Sequence, residues 1–359
     1  MSAEHAKRLE PLPVIRTRQN AVCWLCGAGG TLLFADLRDH LFGAPGTWGL
    51  RRCVNAACGM VWLDPVPLED DLHQIYRTYY THTAADPTAR PQRRIRGAVR
   101  SGYLQGALGY RRGVGATWHR HLRFLAHLYP SGAGSIQSET MFLPAPPFPA
   151  RLLDVGCGNG DLLVQMRSLG WSVEGVEVDP AAARTARARG LEVRQGELLQ
   201  QRYPSDFFDA VTMSHLIEHV YDPVSLLQEA RRVLKPTGTL IVLTPNSQSM
   251  GARLYGQDWR GWEPPRHLHI FNLHNMRAML ERAGLTPIRV AGIARWAGDI
   301  LAASAQLSQQ RILGANATAD TRQNRLTRVS LQIAERFLTA VSGRAGEEIL
   351  AVASKNGLS

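Results

Sequence analysis

Residues 152–160 read Leu-Leu-Asp-Val-Gly-Cys-Gly-Asn-Gly, and no other stretch limits the fold of this chain so tightly. The apolar run Leu152, Leu153 and Val155 carries one acid, Asp154. It ends in glycines at alternate positions, Gly156, Gly158 and Gly160. The next segment, DLLVQMRSLG, has helical spacing. A strand, a glycine turn and a helix start build a nucleotide cradle at the carboxyl end of a parallel strand. Glycine lets the chain turn at positive φ and lets a ligand approach the backbone without meeting a Cβ. A dinucleotide fold calls for G-x-G-x-x-G. Here the third glycine comes one residue early and an acid sits inside the strand, which speaks against a nicotinamide-dependent oxidoreductase.

This acidic G-x-G-x-G motif resembles the first motif of the class I S-adenosylmethionine-dependent methyltransferases. The resemblance implies a Rossmann-like α/β fold with the donor at the loop formed by Asp154, Gly156, Cys157, Gly158 and Gly160. Cys157 is expected to be a small, silent residue there. WSVEGVEVDP predicts a second strand ending in Glu177. An acid about twenty residues past such a loop can accept hydrogen bonds from ribose hydroxyls, so Glu177 is the ribose candidate, with Val178 beside it. Asp179 before Pro180 reads better as a helix cap. LEVRQGELL predicts a third strand. In the resembled family the turn after it lies near the adenine, which makes Glu197 and Leu198 further donor candidates. FFDAVTMSHLIEHV predicts a fourth strand ending near His215, and LKPTGTLIVLTPN a fifth. The alternation predicts a doubly wound, mostly parallel sheet over residues 150–359. PIRVAGIARW and GEEILAVASK should supply an antiparallel sixth and seventh strand. Residues 297–346 between them carry apolar residues at helical spacing (Leu326, Val329, Ile333, Phe337, Val341) and predict about two amphipathic helices. These helices can cover the substrate mouth, mediate dimerisation or touch a membrane surface, and packing on the protein's own core is the default expectation.

Four further cysteines predict a second module over residues 20–70. Cys23, Cys26, Cys53 and Cys58 form C-x2-C and C-x4-C pairs, each ending in Cys-Gly. Two such knuckles suit a tetrahedral, structural zinc ion, with no open position for substrate. Two disulfides are the alternative, and a reducing compartment argues against them. Many bacterial methyltransferases of this class begin with a cysteine knuckle pair, a D-P-x-P turn and a Tyr-rich segment. They also carry a tryptophan-containing P-R-H-L-x-x-F segment after strand five. This chain has CWLCG, CVNAACGMVWLDPVP, IYRTYY and DWRGWEPPRHLHIF in that order. Residues 71–149 between the modules read as helical and linker-like, with 131–150 as the spacer.

In-line methyl transfer requires alignment and, for a hydroxyl or C–H acid, removal of a proton; histidine suits that task. His267 is the first candidate base, then His215, which also stands near the donor, and His269. His219 reads as a capping or packing residue. Tyr79, Tyr80, Trp259, Trp262 and Arg266 are candidate acceptor contacts, although the aromatic residues also suit plain packing.

The chain of 359 residues has a net charge of +11, but the excess is almost all arginine and a codon-usage bias explains such a composition. Residues 90–123 stand apart, with nine arginines and no acid. They can meet phosphates, a membrane surface or an anionic substrate, or form a solvated helical face. An RNA methyltransferase is one rival reading, but SHLIEH stands where N/D-P-P-Y is expected. A non-catalytic binding protein is another. A small-molecule or glycan-type acceptor is expected, with peripheral membrane contact and oligomeric state left open. The polar start, MSAEHAKRLE, and the lack of a bilayer-length apolar run predict a soluble cytoplasmic protein.

Overall fold

The computed structural model describes residues 15–76, 94–146, 149–313 and 321–356; Tyr79 and Tyr80 lie outside them. The N-terminal part contains β1 (Thr17–Arg18), β2 (Gly30–Leu37), β3 (Trp48–Cys53), β4 (Val61–Leu63), β5 (Val66–Pro67) and a short α1 (Leu72–Ile75). β2, β3 and β4 pair antiparallel, and β1 pairs with β5. Next come α2 (Arg94–Gly106), a run of tight helical turns over Thr117–Leu128, and α3 (Gly134–Ser138). The stretch expected as a spacer is packed instead: Ala133, Ile136, Met141 and Leu143 are buried against Leu152, Leu163 and Met166 of the main core.

The main sheet follows in the expected alternation: β6 (Arg151–Val155), α4 (Asp161–Ser168), β7 (Ser172–Glu177), α5 (Pro180–Ala188), β8 (Glu192–Gln195), β9 (Phe208–Ser214), α6 (Pro223–Val233) and β10 (Leu234–Pro245). After it stand α7 (Met250–Tyr255), β11 (His269–Ile270), α8 (Leu273–Arg282), β12 (Thr286–Ile293), α9 (Ala297–Leu313), α10 (Thr321–Ser342) and β13 (Glu348–Ser354). The seven strands lie in the order β12-β13-β10-β9-β6-β7-β8. β6 pairs parallel with both β7 and β9, while β13 runs antiparallel between β10 and β12. The fold is therefore the doubly wound α/β sheet expected, with strands six and seven forming its antiparallel edge. Leu152, Leu153, Val211 and Met213 are buried, as parallel strands covered on both faces require.

Helix starts follow the local chemistry. Asp179 accepts from Ala181 N and Ala182 N at 2.6 and 3.0 Å, with Pro180 opening α5. Asp222 caps α6 through Ser225 N at 3.0 Å, again before a proline. Chain order reverses between β6 and β9, so the crevice at their carboxyl ends is the place where such sheets bind ligands.

Two features depart from a simple appended module. The last strand of the N-terminal sheet is β11, contributed by the far half of the chain and paired with β4. And α10 turns its apolar stripe outward. Leu326, Ile333, Phe337 and Val341 are 77, 52, 67 and 72% exposed, whereas Gln332 and Glu335 are buried. The expectation that this stripe packs on the protein's own core is corrected by those exposures.

Candidate active site and thiol cluster

The donor loop forms as its glycines demand. Gly156, Gly158 and Gly160 have φ of +74°, +54° and +80°. Asp154, the penultimate residue of β6, is buried, with its Oδ1 accepting from Thr212 Oγ1 at 2.7 Å. Burial, against that hydrogen bond, raises its pKa to about 7. Glu177 ends β7. Its two carboxylate oxygens accept from Gly158 N at 2.7 Å and Asp179 N at 2.9 Å. It thus clamps the loop and the start of the next helix, while each oxygen keeps a second lone pair.

In front of the loop lies a cleft of about 490 Å³, within the range of small-molecule sites, roughly 300–1,000 Å³. Asp154, Gly156, Cys157 and Asn159 form one wall, Ser214, Arg295 and Trp296 another. Arg100 of α2 and Glu139 close it, paired at 2.5 Å. Val178 stands 59% exposed past β7. Glu197 is exposed as the cap of a short turn, and Leu198 is buried beneath it. None of Glu177, Val178, Glu197 and Leu198 is among the residues that line the cleft.

A second pocket, of about 210 Å³, adjoins the first through Trp296. Its walls include His215, His219, Trp259, Glu263, His267 and Ile300. At the end of β9, Ser214 faces the larger cleft and His215 the smaller pocket. His267 is 3% exposed and engages Gly261 O through Nδ1 at 2.8 Å. A carbonyl can only accept, so Nδ1 carries the proton and Nε2 the lone pair. Burial, against the charge of Glu263, lowers the pKa of His267 to about 4 and keeps it neutral. His219 is half-buried, and its Nδ1 lies 3.0 Å from Arg266 O and 3.1 Å from Tyr76 Oη. The same reasoning leaves its Nε2 bare. The two imidazoles pack edge to face, 4.7 Å apart. Side-chain ligand atoms of Glu218, His219 and His267 lie within 4.8 Å of one another.

Three expectations need correction. His215 is not a free base. Burial disfavours its charge, but hydrogen bonds to Glu218 at 3.2 Å and Glu348 at 2.7 Å outweigh that and raise its pKa to about 9. The raised pKa favours the cation, which sits in a network with the buried Glu218 and Glu348 and with Arg295 while staying about a third exposed, and Glu348 is held near pKa 2 despite its burial. His269 faces away from the pocket and accepts from Trp24 Nε1 at 2.9 Å; burial lowers its pKa to about 4. Arg266 cannot anchor an acceptor. It is 1% exposed, paired with Asp39 and Glu263 at 2.9 Å each, and so ties the loop after β2 to the segment around Glu263. Trp259 does line the pocket, donating to Glu347 at 2.5 Å, whereas Trp262 packs behind it at a ring separation of 4.7 Å. The sequence reading set His219 aside as a capping or packing residue and gave Tyr76 no role at the site. Their one signal was the position of His219 four residues beyond His215, on the same side of a helical turn.

The four N-terminal cysteines converge, including Cys58 of the widened pair. Sγ separations are 3.8 Å for Cys23–Cys58 and 3.4 Å for Cys26–Cys53, and all four sulfurs lie within 4.8 Å of one another. Tetrahedral zinc–sulfur bonds of about 2.3 Å set sulfurs about 3.8 Å apart. Backbone N–H groups two residues on, at Ala28, Asn55 and Met60, point at Cys26, Cys53 and Cys58. Gly27 and Gly59 give those knuckles their positive φ. The donor set fits a zinc ion.

Comparison with known proteins agrees with this architecture. A family model described as a methyltransferase domain matches residues 124–290. A ubiquinone biosynthesis O-methyltransferase of Xanthomonas axonopodis pv. citri is 37% identical over 162 residues, which covers 41% of this chain and 67% of that protein. The chain belongs to the class I S-adenosylmethionine-dependent methyltransferases. A ubiquinone biosynthesis O-methyltransferase of Xanthomonas campestris pv. campestris is 39% identical over 105 residues, or 27% of this chain. The chain spans only 44% of that relative's length. A solved S-adenosylmethionine-dependent methyltransferase from Mesorhizobium loti is 19% identical, with a TM-score of 0.42, covering 63% of this chain and 99% of its own. No helix among the described residues is long and apolar enough to cross a membrane.

Proposed function

We propose that this methyltransferase-fold chain transfers a methyl group from S-adenosylmethionine to a hydroxyl of a small acceptor. The larger cleft takes the donor and the smaller pocket takes the acceptor. The observation that carries this reading is that the two cavities meet at Trp296 and at the carboxyl end of β9. Two relatives named for O-methylation in ubiquinone biosynthesis support oxygen as the methylated atom.

Bound in the cleft, S-adenosylmethionine supplies a sulfonium-activated methyl group. The protein's own work is to hold, align and deprotonate. The loop at Gly156–Gly160, braced by Glu177, presents backbone to the donor, and Asp154 places an acid beside its cationic end. Trp259, Trp296 and Ile300 make a flat apolar slot suited to one ring. The half-buried His219 is the base. Its Nε2 takes the acceptor proton, and the imidazolium so formed is stabilised by Glu218 and Glu263 close behind the His219–His267 pair. The cation His215 and its partner Glu348 fix the wall between the cavities rather than react. The four cysteines hold a structural zinc ion, which supplies folding free energy to the N-terminal sheet.

His219→Ala tests the assignment. With catechol-type acceptors, turnover should fall about 10²–10⁴-fold while calorimetric affinity for S-adenosylhomocysteine stays at the wild-type value. Undiminished turnover would remove His219 as the base. Absence of any S-adenosylhomocysteine binding by the wild-type protein would remove the donor site itself.

A further inference from the structure

A soluble protein normally turns the apolar stripe of a helix inward, and α10 does the reverse. Leu326, Ile333, Phe337 and Val341 are all more than half exposed, and Val329 and Leu338 are 37 and 43% exposed. The inward side is polar: Gln332 bonds Gly298 N and Ala294 O, and Glu335 accepts from Glu347 N at 2.6 Å. The helix is therefore anchored by polar contacts in an inverted orientation. The stripe from Leu326 to Val341 runs roughly 22 Å along the helix axis.

A second exposed apolar group stands beside it. The turns over Thr117–Leu128 expose Trp118, Phe124, Leu125 and Leu128 by 60, 66, 41 and 79%. Arg336, on the flank of α10, donates to Tyr129 O at 2.9 Å, and Arg96 stacks over the Tyr129 ring at 5.9 Å. These contacts bring α10, the end of the turns and the arginines of α2 to one place.

The charge on this surface is mostly positive among the described residues. Residues 94–128 contain no Asp or Glu, and Arg96, Arg111, Arg112, Arg120 and Arg123 are exposed. The only acid of α10 is Glu335, which is buried, while Arg328 is 50% exposed and pairs with Asp299 of α9 at 3.3 Å. A second copy of the chain would set like charges against each other across an isologous contact. A nucleic acid would leave the apolar stripe wet. A flat surface with negative headgroups above an apolar interior satisfies both halves of the patch, because an amphipathic helix can lie in that boundary with its arginines on the phosphates. The patch also borders the pocket entrance: α10 is pinned at Ala294 and Gly298, which flank the Trp296 shared by both cavities.

We infer that the outward apolar stripe of α10, together with the exposed turns over Thr117–Leu128 and the surrounding arginines, docks on an anionic lipid bilayer. This inference stands apart from the reading of the site as a methyl-transfer centre.

Co-sedimentation of the full chain with vesicles tests it. Vesicles of phosphatidylcholine with one part in three phosphatidylglycerol should carry the protein down, and pure phosphatidylcholine vesicles should not. High salt should weaken the binding, because surface charge is screened. Phe337→Glu should reduce partitioning about tenfold or more, and Arg120→Glu with Arg123→Glu should do likewise. Both variants should keep the wild-type thermal melt. The inference is overturned if the wild-type protein ignores anionic vesicles, or if Phe337→Glu binds them as well as the wild type. It is equally overturned if sedimentation equilibrium shows a dimer that Phe337→Glu turns into a monomer, since the stripe would then belong to a second copy.

Discussion

The three loop glycines are not equivalent, and a pair of alanine substitutions separates their tasks. At Gly158, with φ +54°, an added Cβ meets no atom within 4 Å. Its neighbours Cys157 and Asn159 line the donor cleft. Gly158→Ala therefore incurs only the left-handed backbone cost of about 1–2 kcal/mol, a drop of a few degrees in Tm, roughly 2–4 °C per kcal/mol for a sizeable domain. Its methyl group nevertheless stands where the donor must approach the backbone. At Gly160, with φ +80°, an added Cβ would lie 2.3 Å from Leu191 Cδ1 and 3.2 Å from Ala186 Cβ. Both neighbours are buried, so Leu191 must leave its packed position. Overpacking adds about 1–3 kcal/mol to the same backbone cost. Gly160→Ala should thus lose clearly more stability than Gly158→Ala, while Gly158→Ala loses at least about tenfold in donor affinity. Differential scanning calorimetry gives the first quantity and titration with S-adenosylhomocysteine the second. A Gly158→Ala protein with wild-type affinity, or one that melts as early as Gly160→Ala, refutes the division of labour.

Chelation should release one zinc ion per chain and lower the melting temperature, with S-adenosylhomocysteine affinity largely kept; a metal-free protein with unchanged melting would sink the zinc assignment. The raised pKa of His215, about 9 against an ordinary 6.5, means its ion pairs stabilise the fold fully below about pH 6.5. That contribution is lost as pH rises through about 9, so the gap in urea midpoint between the wild type and His215→Gln should shrink over that window; a gap independent of pH contradicts the network. Asp39→Ala takes one of two carboxylate partners from the buried Arg266, which keeps Glu263 at 2.9 Å, and should cost about 1.5–3 kcal/mol, read by urea denaturation; a loss below about 1 kcal/mol would mean the pair behaves as an exposed one.

Local chemistry carried the parts of this fold that depend on near neighbours. The glycine loop, the Asp179 cap and the strand succession are written within a few residues of each other, and each formed as read. What failed was long-range. Arg266 looks like an acceptor anchor until Asp39, from the opposite end of the chain, is seen beside it. His215 looks like a base until Glu348 and Arg295 arrive from the antiparallel edge of the sheet. Periodicity showed that α10 is two-faced, yet could not say which face turns inward. That choice rests on Gln332 meeting Ala294 and Gly298, contacts that no helical pattern encodes. The arginine-rich segment was read as one block, but it divides: Arg100 reaches into the donor cleft while Arg120 and Arg123 stay outside.

The thiol module and the acceptor pocket are one mechanical unit, and the reason is sheet sharing. β11 begins two residues after His267 and pairs with β4, which lies between the third and fourth cysteines and α1. Trp24, next to Cys23, donates to His269 on that strand. Asn272 and Asn275, the capping pair of α8, both donate to Cys58 O, at 3.1 and 3.3 Å. The wall that carries His267 is therefore suspended between two attachments to a sheet too small to build a large core of its own. Ligation of the proposed zinc ion by four thiolates would give such a sheet stiffness that burial alone does not. The Asp39–Arg266–Glu263 pairs then carry that stiffness into the segment around Glu263, because a buried charge network tolerates little displacement before it loses a partner. The proposed donor site, by contrast, rests on β6, β7 and α5, which belong to a different sheet from the one beside the cysteines. Loss of the metal should accordingly loosen the acceptor wall first and leave the glycine loop standing.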